Sequence, residues 1–331
     1  MNIAINGFGR IGRQAFKVAI AKKNIKVVAI NDLTDTKTLA HLLRHDTSYG
    51  SYGESVDFDE KNLIVSGKKI PVFAEKDPSA LPWGKLKVDV VLECTGRFTD
   101  KAGAEAHLKA GAKKVIISAP AKGGDVPTYV RAVNCGKAGK EKSLVINNAS
   151  CTTNCIAPVM AVLHEKFGIA KAIMSTIHGY TSDQNLQDGP HKDLRRARAA
   201  AENTVPTSTG AAIATAEVIP DLGGAFDGLA LRVPGLVSSL SDITVLLKKN
   251  ATKEEINQAF VAAAKTDRFA GVLATTSEPL VSSDFKGNTN SGIVDLSLTN
   301  VVGGNLVKVV AWYDNEVGYA HRLVELAELY V

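Results

Sequence analysis

An α/β fold in two parts is what the sequence predicts: an open parallel sheet flanked by helices, then an α+β block on a mixed or antiparallel sheet. Three observations carry this. A glycine-rich turn follows the first apolar run and opens a helical pattern. Short, wholly apolar runs then alternate with helical segments to about residue 150, as parallel strands buried on both faces do. From residue 172 onward, longer β-rich runs follow one another with few helices between them. With 331 residues, 45% of them hydrophobic, the chain can fill two cores. The expected domains are 1–150, completed by a C-terminal helix over 314–331, and 151–313.

In order, Ile3-Ala4-Ile5 is the first strand, and Asn6-Gly7-Phe8-Gly9-Arg10-Ile11-Gly12-Arg13 turns into a helix marked by Ala15, Val18 and Ala19. Gly7, Gly9 and Gly12 have the spacing G-x-G-x-x-G. Gly7 makes the tight turn, Gly9 admits a pyrophosphate close to the backbone, and Gly12 lets helix pack on strand. The helix N-terminus, with Arg10 and Ile11, supplies the positive end for the charge. The second strand, Val27 to Ile30, leads to Asp32, twenty residues after Gly12, where a carboxylate takes both ribose hydroxyls of an adenosine. A Rossmann-type dinucleotide-binding domain follows, and these surroundings outweigh the alternative of a tight turn without a ligand.

A helix is expected over Thr36 to Arg44, a polar stretch over Tyr49 to Asp59, a hairpin from Leu63 to Phe73 and a turn at Lys76-Asp77-Pro78. Val88 to Leu92 reads as a buried strand, Lys101 to Ala110 as a helix and Lys114 to Ile117 as another strand. Thr95 and Ser118 stand past the carboxyl ends of two of these strands and are expected to face the cofactor.

Leu144-Val145-Ile146 runs into Ser150-Cys151-Thr152-Thr153-Asn154-Cys155 and then a helix through Leu163. Ser150 is the expected N-cap and Cys151 the first helical residue. Unpaired N–H groups and the positive helix end favour thiolate there, so Cys151 is expected to titrate well below the free value of ~8.5. Cys155, one turn deeper, reads as core. Taken alone, Cys151 would read as a second small buried hydrophobe. C-x3-C lacks zinc spacing, and no metal site is expected.

Ala172 to Ile177 reads as a strand that delivers His178 to a sheet edge, where an imidazole can partner the thiol. A long polar loop follows, with Arg195, Arg196 and Arg198. Further strands are expected at Gly228 to Val233, Asp242 to Leu247, Gly292 to Leu298 and Val307 to Tyr313, with helices at Lys253 to Ala264 and Asn315 to Leu329. Three clusters suit anions: Ser150 with Thr152, Thr181 with Arg232, and Arg196 with the run Thr207 to Gly210, which includes Thr209. Arginine forks and hydroxyls both match phosphate oxygens. Arg195 and Arg198 read as a solvated or subunit-contacting face.

A formal charge of +5 without clustering, and 6% aromatic residues, describe no dedicated nucleic-acid surface. Small anionic substrates fit better. Four cysteines make no disulfide framework, which suits a reducing compartment. With no secretory pattern at the N-terminus and no membrane-length apolar stretch, a soluble cytoplasmic protein is expected.

The segments Ile5 to Arg13, Ser118 to Lys122, Ala149 to Cys155, His191 to Arg198 and Trp312 to Glu316 give the chain an end-to-end resemblance to the phosphorylating glyceraldehyde-3-phosphate dehydrogenases. That resemblance implies oxidation of D-glyceraldehyde 3-phosphate to 1,3-bisphosphoglycerate in glycolysis or gluconeogenesis, with reduction of a nicotinamide cofactor and uptake of inorganic phosphate. It implies that Cys151 forms a thiohemiacetal and then a thioester, while His178 takes the hydroxyl proton. It assigns Thr181 and Arg232 to the substrate phosphate, and Ser150, Thr152, Arg196, Thr209 and Gly210 to the attacking phosphate. Asn315 would orient the nicotinamide carboxamide and Lys76 would lie near the adenine. The family pattern also implies a homotetramer in which the loop from about Gly179 to Asn203 reaches a neighbouring subunit's cofactor site.

Some positions depart from the family pattern. Val317 replaces a large aromatic residue, Gly179 replaces Ser or Ala, Lys76 stands where arginine is common, and the segment Pro234 to Ser239 is unusual. For the cofactor, Asp32 opposes a 2′-phosphate and Asp188-Gly189-Pro190 keeps a proline similar to the NAD-using pattern. NAD is the expected cofactor, with NADP secondary because Gly189 leaves room. The rival readings are an erythrose-4-phosphate dehydrogenase-like enzyme, with water in place of phosphate, and a non-enzymatic dinucleotide- or RNA-binding relative. The presence of both Cys151 and His178 argues against the latter.

Overall fold

A computed structural model describes residues 1–123 and 125–331. The chain divides into two compact units: Met1–Tyr129 with Asn134–Ala149 and Ala320–Val331, and Val130–Val133 with Ser150–Tyr319.

The first unit contains β1 (Asn2–Asn6), α1 (Arg10–Ile20), β2 (Lys26–Asn31), α2 (Thr36–Arg44), β3 (His45–Asp46), β4 (Gly50–Ser51), β5 (Val56–Phe58), β6 (Asn62–Val65) and β7 (Lys68–Phe73). It continues with β8 (Val90–Glu93), α3 (Lys101–Lys109), β9 (Lys114–Ile117) and β10 (Val145–Asn147). Apart from the small β3–β4 ladder, the strands form one sheet in the order β10-β9-β8-β1-β2-β7-β6-β5. The ladders are parallel from β10 to β7, and antiparallel only where the β6–β7 hairpin and β5 extend the edge.

The apolar runs follow from this arrangement. Ile3, Ile5, Val90, Leu92, Ile116 and Ile146 belong to one core cluster, whereas the intervening Ala4, Val91, Val115 and Val145 belong to another. Successive side chains point to opposite faces, so a strand buried on both faces needs apolar residues throughout. The stretch from Ala320 closes the first cluster with Leu323, Val324, Leu326 and Tyr330. Because β1 pairs with β2 on one side and β8 on the other, the order in which strands are added to the sheet reverses at β1 while the strands stay parallel. In open α/β sheets that switch point opens a crevice at the carboxyl ends of the strands.

The second unit contains α4 (Cys151–Phe167), β11 (Ile169–Gly179), β12 (Val205–Ser208), α5 (Ala211–Val218), β13 (Phe226–Val233), β14 (Ser239–Leu247) and α6 (Lys253–Ala264). Then come β15 (Leu273–Thr276), β16 (Gly292–Asp295), β17 (Asn300–Val302), β18 (Leu306–Tyr313) and α7 (Val317–Tyr330), whose last residues belong to the first unit. The sheet order is β12-β13-β11-β14-β18-β16-β15, with β17 on β18. It is mixed: β11 runs parallel to β13 and antiparallel to β14. Cys155, Ile156, Val159, Met160 and Leu163 of α4 pack into the core of this unit with Ile243, Val245 and Val309.

Three expectations are corrected. The strand placed over Gly292 to Leu298 ends at Asp295, whose carboxylate accepts from Ser297 N–H at 3.1 Å and turns residues 296–298 into a 3₁₀ segment. The last helix begins at Val317, not Asn315, because Asp314 Oδ1 accepts from the N–H groups of Glu316 (2.9 Å) and Val317 (2.8 Å). The short strands β3, β4, β5, β12, β15 and β17 were not anticipated. No helix among the described residues is long and apolar enough to cross a membrane.

Candidate active site

Asn6, Gly7, Gly9, Asn31, Asp32, Lys76 and Thr95 line a cleft of about 330 Å³ in the first unit. Its floor is held by sterics. Gly7 has φ +90°, and a Cβ there would meet Thr95 N at 2.7 Å; a Cβ on Gly12 would lie 2.0 Å from Gly7 O. The N-cap of α1 is Gly9, which offers no side chain, so no side-chain cap consumes the helix's first N–H groups. Asp32 is fixed at the rim: Oδ2 accepts from Phe8 N–H at 2.7 Å and Oδ1 from Thr34 N–H at 3.0 Å. A glycine cradle, an open helix N-terminus and a carboxylate at the end of β2 fit a dinucleotide.

Other residues of the cofactor set are engaged elsewhere. Arg10 turns to Asp46, with Nη1 to Oδ2 at 2.8 Å, while Ile11 is partly buried in its helix. Burial alone would raise Asp46, yet N–H donors from Ser48 and Tyr49 and the Arg10 guanidinium hold it below the usual carboxylate range. The Thr95 hydroxyl donates inward to Glu93, away from the cleft. Glu93 also accepts from Asn6 Nδ2 at 2.5 Å and from His107 Nε2 at 3.0 Å, and Trp83 Nε1–H donates to His107 Nδ1 at 2.9 Å. Ser118, half-buried past β9, interacts with the half-buried Cys94 thiol, whose desolvation pushes it up to about 12.

In the second unit, Ser150 caps α4: its Oγ accepts from Thr153 N–H at 3.0 Å. Cys151 is the first helical residue, and its Sγ lies 3.4 Å from His178 Nε2. His178 Nδ1 lies 2.6 Å from the carbonyl oxygen of Gly179 and 3.0 Å from Arg232 Nη1; the shorter contact, to an oxygen that can only accept, places the ring proton on Nδ1 and leaves Nε2 as the acceptor facing sulfur. The ring sits edge-on to Tyr313 at 6.0 Å. Tyr313 OH in turn joins Thr152 Oγ1 (2.9 Å) and Thr176 Oγ1 (2.8 Å).

The expected low-titrating thiol is not what the structure holds. Burial pushes Cys151 up, against the opposing pull of Arg232, the Thr152 hydroxyl and the N–H groups at the start of α4. Burial, helped by the Arg232 charge, pushes His178 down to about 3. The resting pair is therefore a neutral thiol beside a neutral imidazole that can take its proton. Position in the helix was readable from the sequence, whereas enclosure of the sulfur was not.

Arg232 Nη1 reaches Thr181 Oγ1 at 3.1 Å and Gly179 O at 3.3 Å, and its Nε is buried with no hydrogen-bond partner. Thr181 also donates to Asp183, which pairs with Arg196. Arg196 Nε donates to Thr207 Oγ1 at 2.9 Å. Gly210 is the N-cap of α5, and Thr209 Oγ1 accepts from Ala211 N–H at 3.2 Å. The structure thus joins Thr181 to Arg232 and Arg196 to Thr207, while the Thr152 hydroxyl turns inward to Tyr313. Asp183, Tyr313 and Ser239 escaped the sequence reading. Asp183 lies two residues from Thr181, which was its only signal.

Gly179 also has a structural reason. A Cβ there would lie 2.7 Å from Gly235 O and 3.2 Å from Leu236 O, so any larger residue would collide with the backbone of this segment.

Two family models match the chain: "Glyceraldehyde 3-phosphate dehydrogenase, NAD binding domain" over residues 1–101 and "Glyceraldehyde 3-phosphate dehydrogenase, C-terminal domain" over residues 150–315. Among similar proteins, the glyceraldehyde-3-phosphate dehydrogenase of Geobacillus stearothermophilus is 54% identical over 327 residues, covering 99% of this chain and 97% of the relative. The glyceraldehyde-3-phosphate dehydrogenase 1 of Bacillus cereus is 54% identical over 98% of this chain and 97% of its own. The Thermotoga maritima enzyme of the same name is 54% identical over 99% of this chain and 98% of its own. With similarity of this extent over both units, the chain belongs to the glyceraldehyde-3-phosphate dehydrogenase family.

Proposed function

We propose that the chain is an NAD-dependent phosphorylating dehydrogenase of D-glyceraldehyde 3-phosphate, and that the pair Cys151–His178 carries the chemistry. The single observation behind the pairing is the 3.4 Å separation of Cys151 Sγ and His178 Nε2. His178 takes the thiol proton as sulfur attacks the aldehyde carbon and returns it to the alkoxide so formed, giving a thiohemiacetal and a neutral imidazole. The same imidazole then accepts the hydroxyl proton, and NAD, when bound, receives the hydride. The product of that oxidation is a thioester on Cys151. Inorganic phosphate attacks it, and 1,3-bisphosphoglycerate leaves as the sulfur is released.

Arg232 and Thr181 hold the substrate phosphate in this reading, and the unpartnered Nε of Arg232 is a donor that a phosphate oxygen satisfies. Arg196, Thr209, Gly210, Ser150 and Thr152 hold the attacking phosphate. Positioning both anions beside one sulfur makes the second step nearly intramolecular. Gly7, Gly9, Arg10, Ile11, Gly12, Asp32, Lys76, Thr95 and Ser118 are assigned to the dinucleotide, and Asn315 to its carboxamide. Asp32 favours NAD over NADP by opposing a 2′-phosphate.

We assign the enzyme to glycolysis or gluconeogenesis as a cytoplasmic homotetramer. Cys94, Cys135, Cys151 and Cys155 form no disulfide, which suits a reducing compartment. The exposed Ile173, Leu229, Ile213 and Leu194 of the second unit suit burial between subunits. The test is NADH formation from D-glyceraldehyde 3-phosphate or erythrose 4-phosphate, with and without phosphate. Turnover with the triose phosphate that requires phosphate is expected. Phosphate-independent turnover, or preference for erythrose 4-phosphate, would favour the hydrolytic rival.

A further inference from the structure

We propose that Ser239 is a positioning residue that fixes the amide of Asn315. The proposal rests on the assignment of Asn315 to the nicotinamide carboxamide. Ser239 and Asn315 are both buried, at 2% and 4% exposure. The serine hydroxyl has one hydrogen to give, and its surroundings decide where it goes. Gly179 N–H donates to Ser239 Oγ at 3.3 Å, so the hydroxyl accepts on that side and donates on the other, to Asn315 Oδ1 at 3.0 Å. With Oδ1 engaged, Asn315 presents Nδ2, a donor, to its ligand. That donor matches the carbonyl oxygen of a carboxamide and not its NH₂ group.

The same hydroxyl holds the residue after His178. Gly179 can approach it because the backbone runs against Gly235 and Leu236 with no side chain in the way; a Cβ would lie 2.7 Å from Gly235 O. Ser239 follows Ser238, a non-glycine residue at φ +74°, so the chain enters β14 through a left-handed residue, and the Ser239 hydroxyl meets both partners. One buried hydroxyl thus sets the amide that orients the cofactor ring and braces the strand end that carries the base.

The experiment is a double-mutant cycle of Ser239→Ala and Asn315→Ala, read as kcat/KM for NAD and for its thionicotinamide analogue, whose sulfur accepts hydrogen bonds poorly. Ser239→Ala is expected to lower kcat/KM for NAD about tenfold, the size of one lost buried hydrogen bond, and to shrink the preference for NAD over the analogue. In the Asn315→Ala background the serine substitution should change neither quantity. Ser239→Thr, which keeps the hydroxyl, should restore the analogue preference. Full effects that add in the double variant, or an unchanged analogue preference in Ser239→Ala, would overturn the role of Ser239. If Asn315→Ala alone left the NAD kinetics unchanged, the assignment of Asn315 would fall first and take this inference with it.

Discussion

The glycine turn after β1 and the cysteine turn before α4 both put a helix N-terminus at the end of a strand, but they use it differently. Gly9 caps α1 without a side chain, and Gly7 and Gly12 hold a close backbone approach that no Cβ could share. That site is made of backbone, with N–H groups left for a ligand. Ser150 caps α4 with its own hydroxyl, and the first helical residue is the reactive one. There the helix end serves a protein sulfur and has to work against that sulfur's burial. A backbone cradle depends on sterics, whereas a buried nucleophile depends on which neighbour is ready to take its proton.

Substitutions can separate the two kinds of site. Cys151→Ser should abolish NADH formation by 10³-fold or more, on the order of losing a covalent nucleophile, while NAD binding measured by fluorescence titration stays near the parent value. Arg232→Lys keeps the charge but loses the fork that meets Thr181 and Gly179 O. It should raise KM for the triose phosphate roughly 10- to 100-fold with less effect on KM for NAD, as steady-state kinetics would reveal. Gly12→Ala forces a Cβ toward Gly7 O and should cost about 1–3 kcal/mol, seen both as a lower melting temperature and as weaker NAD binding. If Gly12→Ala bound NAD normally, the steric account of the cradle would fail.

The smallest effect concerns protonation. His178 is pushed down to about 3 when folded, below its unfolded value near 6.5, so on acidification the unfolded chain takes up a proton that the folded chain refuses. Stability should therefore fall as pH drops below about 6.5, by ~2 kcal/mol from this group at pH 5. Urea melts of the parent and of His178→Asn at pH 7.5 and 5 would show the variant losing less stability over that interval. Equal losses would mean that His178 titrates normally.

The fold was largely legible because its signals are local. Val90 to Leu92 and Val115 to Ile117 are apolar throughout since both faces of the sheet are covered, and Thr252 with Glu255 forms a capping box at the start of α6. The strands β12, β15 and β17 were missed because they are three or four residues long and without marked alternation, so pairing with β13, β16 and β18 makes them strands. At the site, Cys151, His178, Thr181 and Arg232 stood out as residue types at strand and helix ends. Their partners did not: Tyr313 meets Thr152 across 161 residues of sequence, and Ser239 meets Asn315 across 76. Protonation was illegible for the same reason, since it depends on what encloses the sulfur.

The most direct measurement is a single-turnover experiment on the intact enzyme, mixing it with NAD and D-glyceraldehyde 3-phosphate in the absence of phosphate. A burst of NADH equal to the number of Cys151 thiols, an acyl adduct on Cys151 by mass spectrometry, and its release when phosphate is added are the results expected. Steady turnover without phosphate, or an adduct on any other cysteine, would contradict the account.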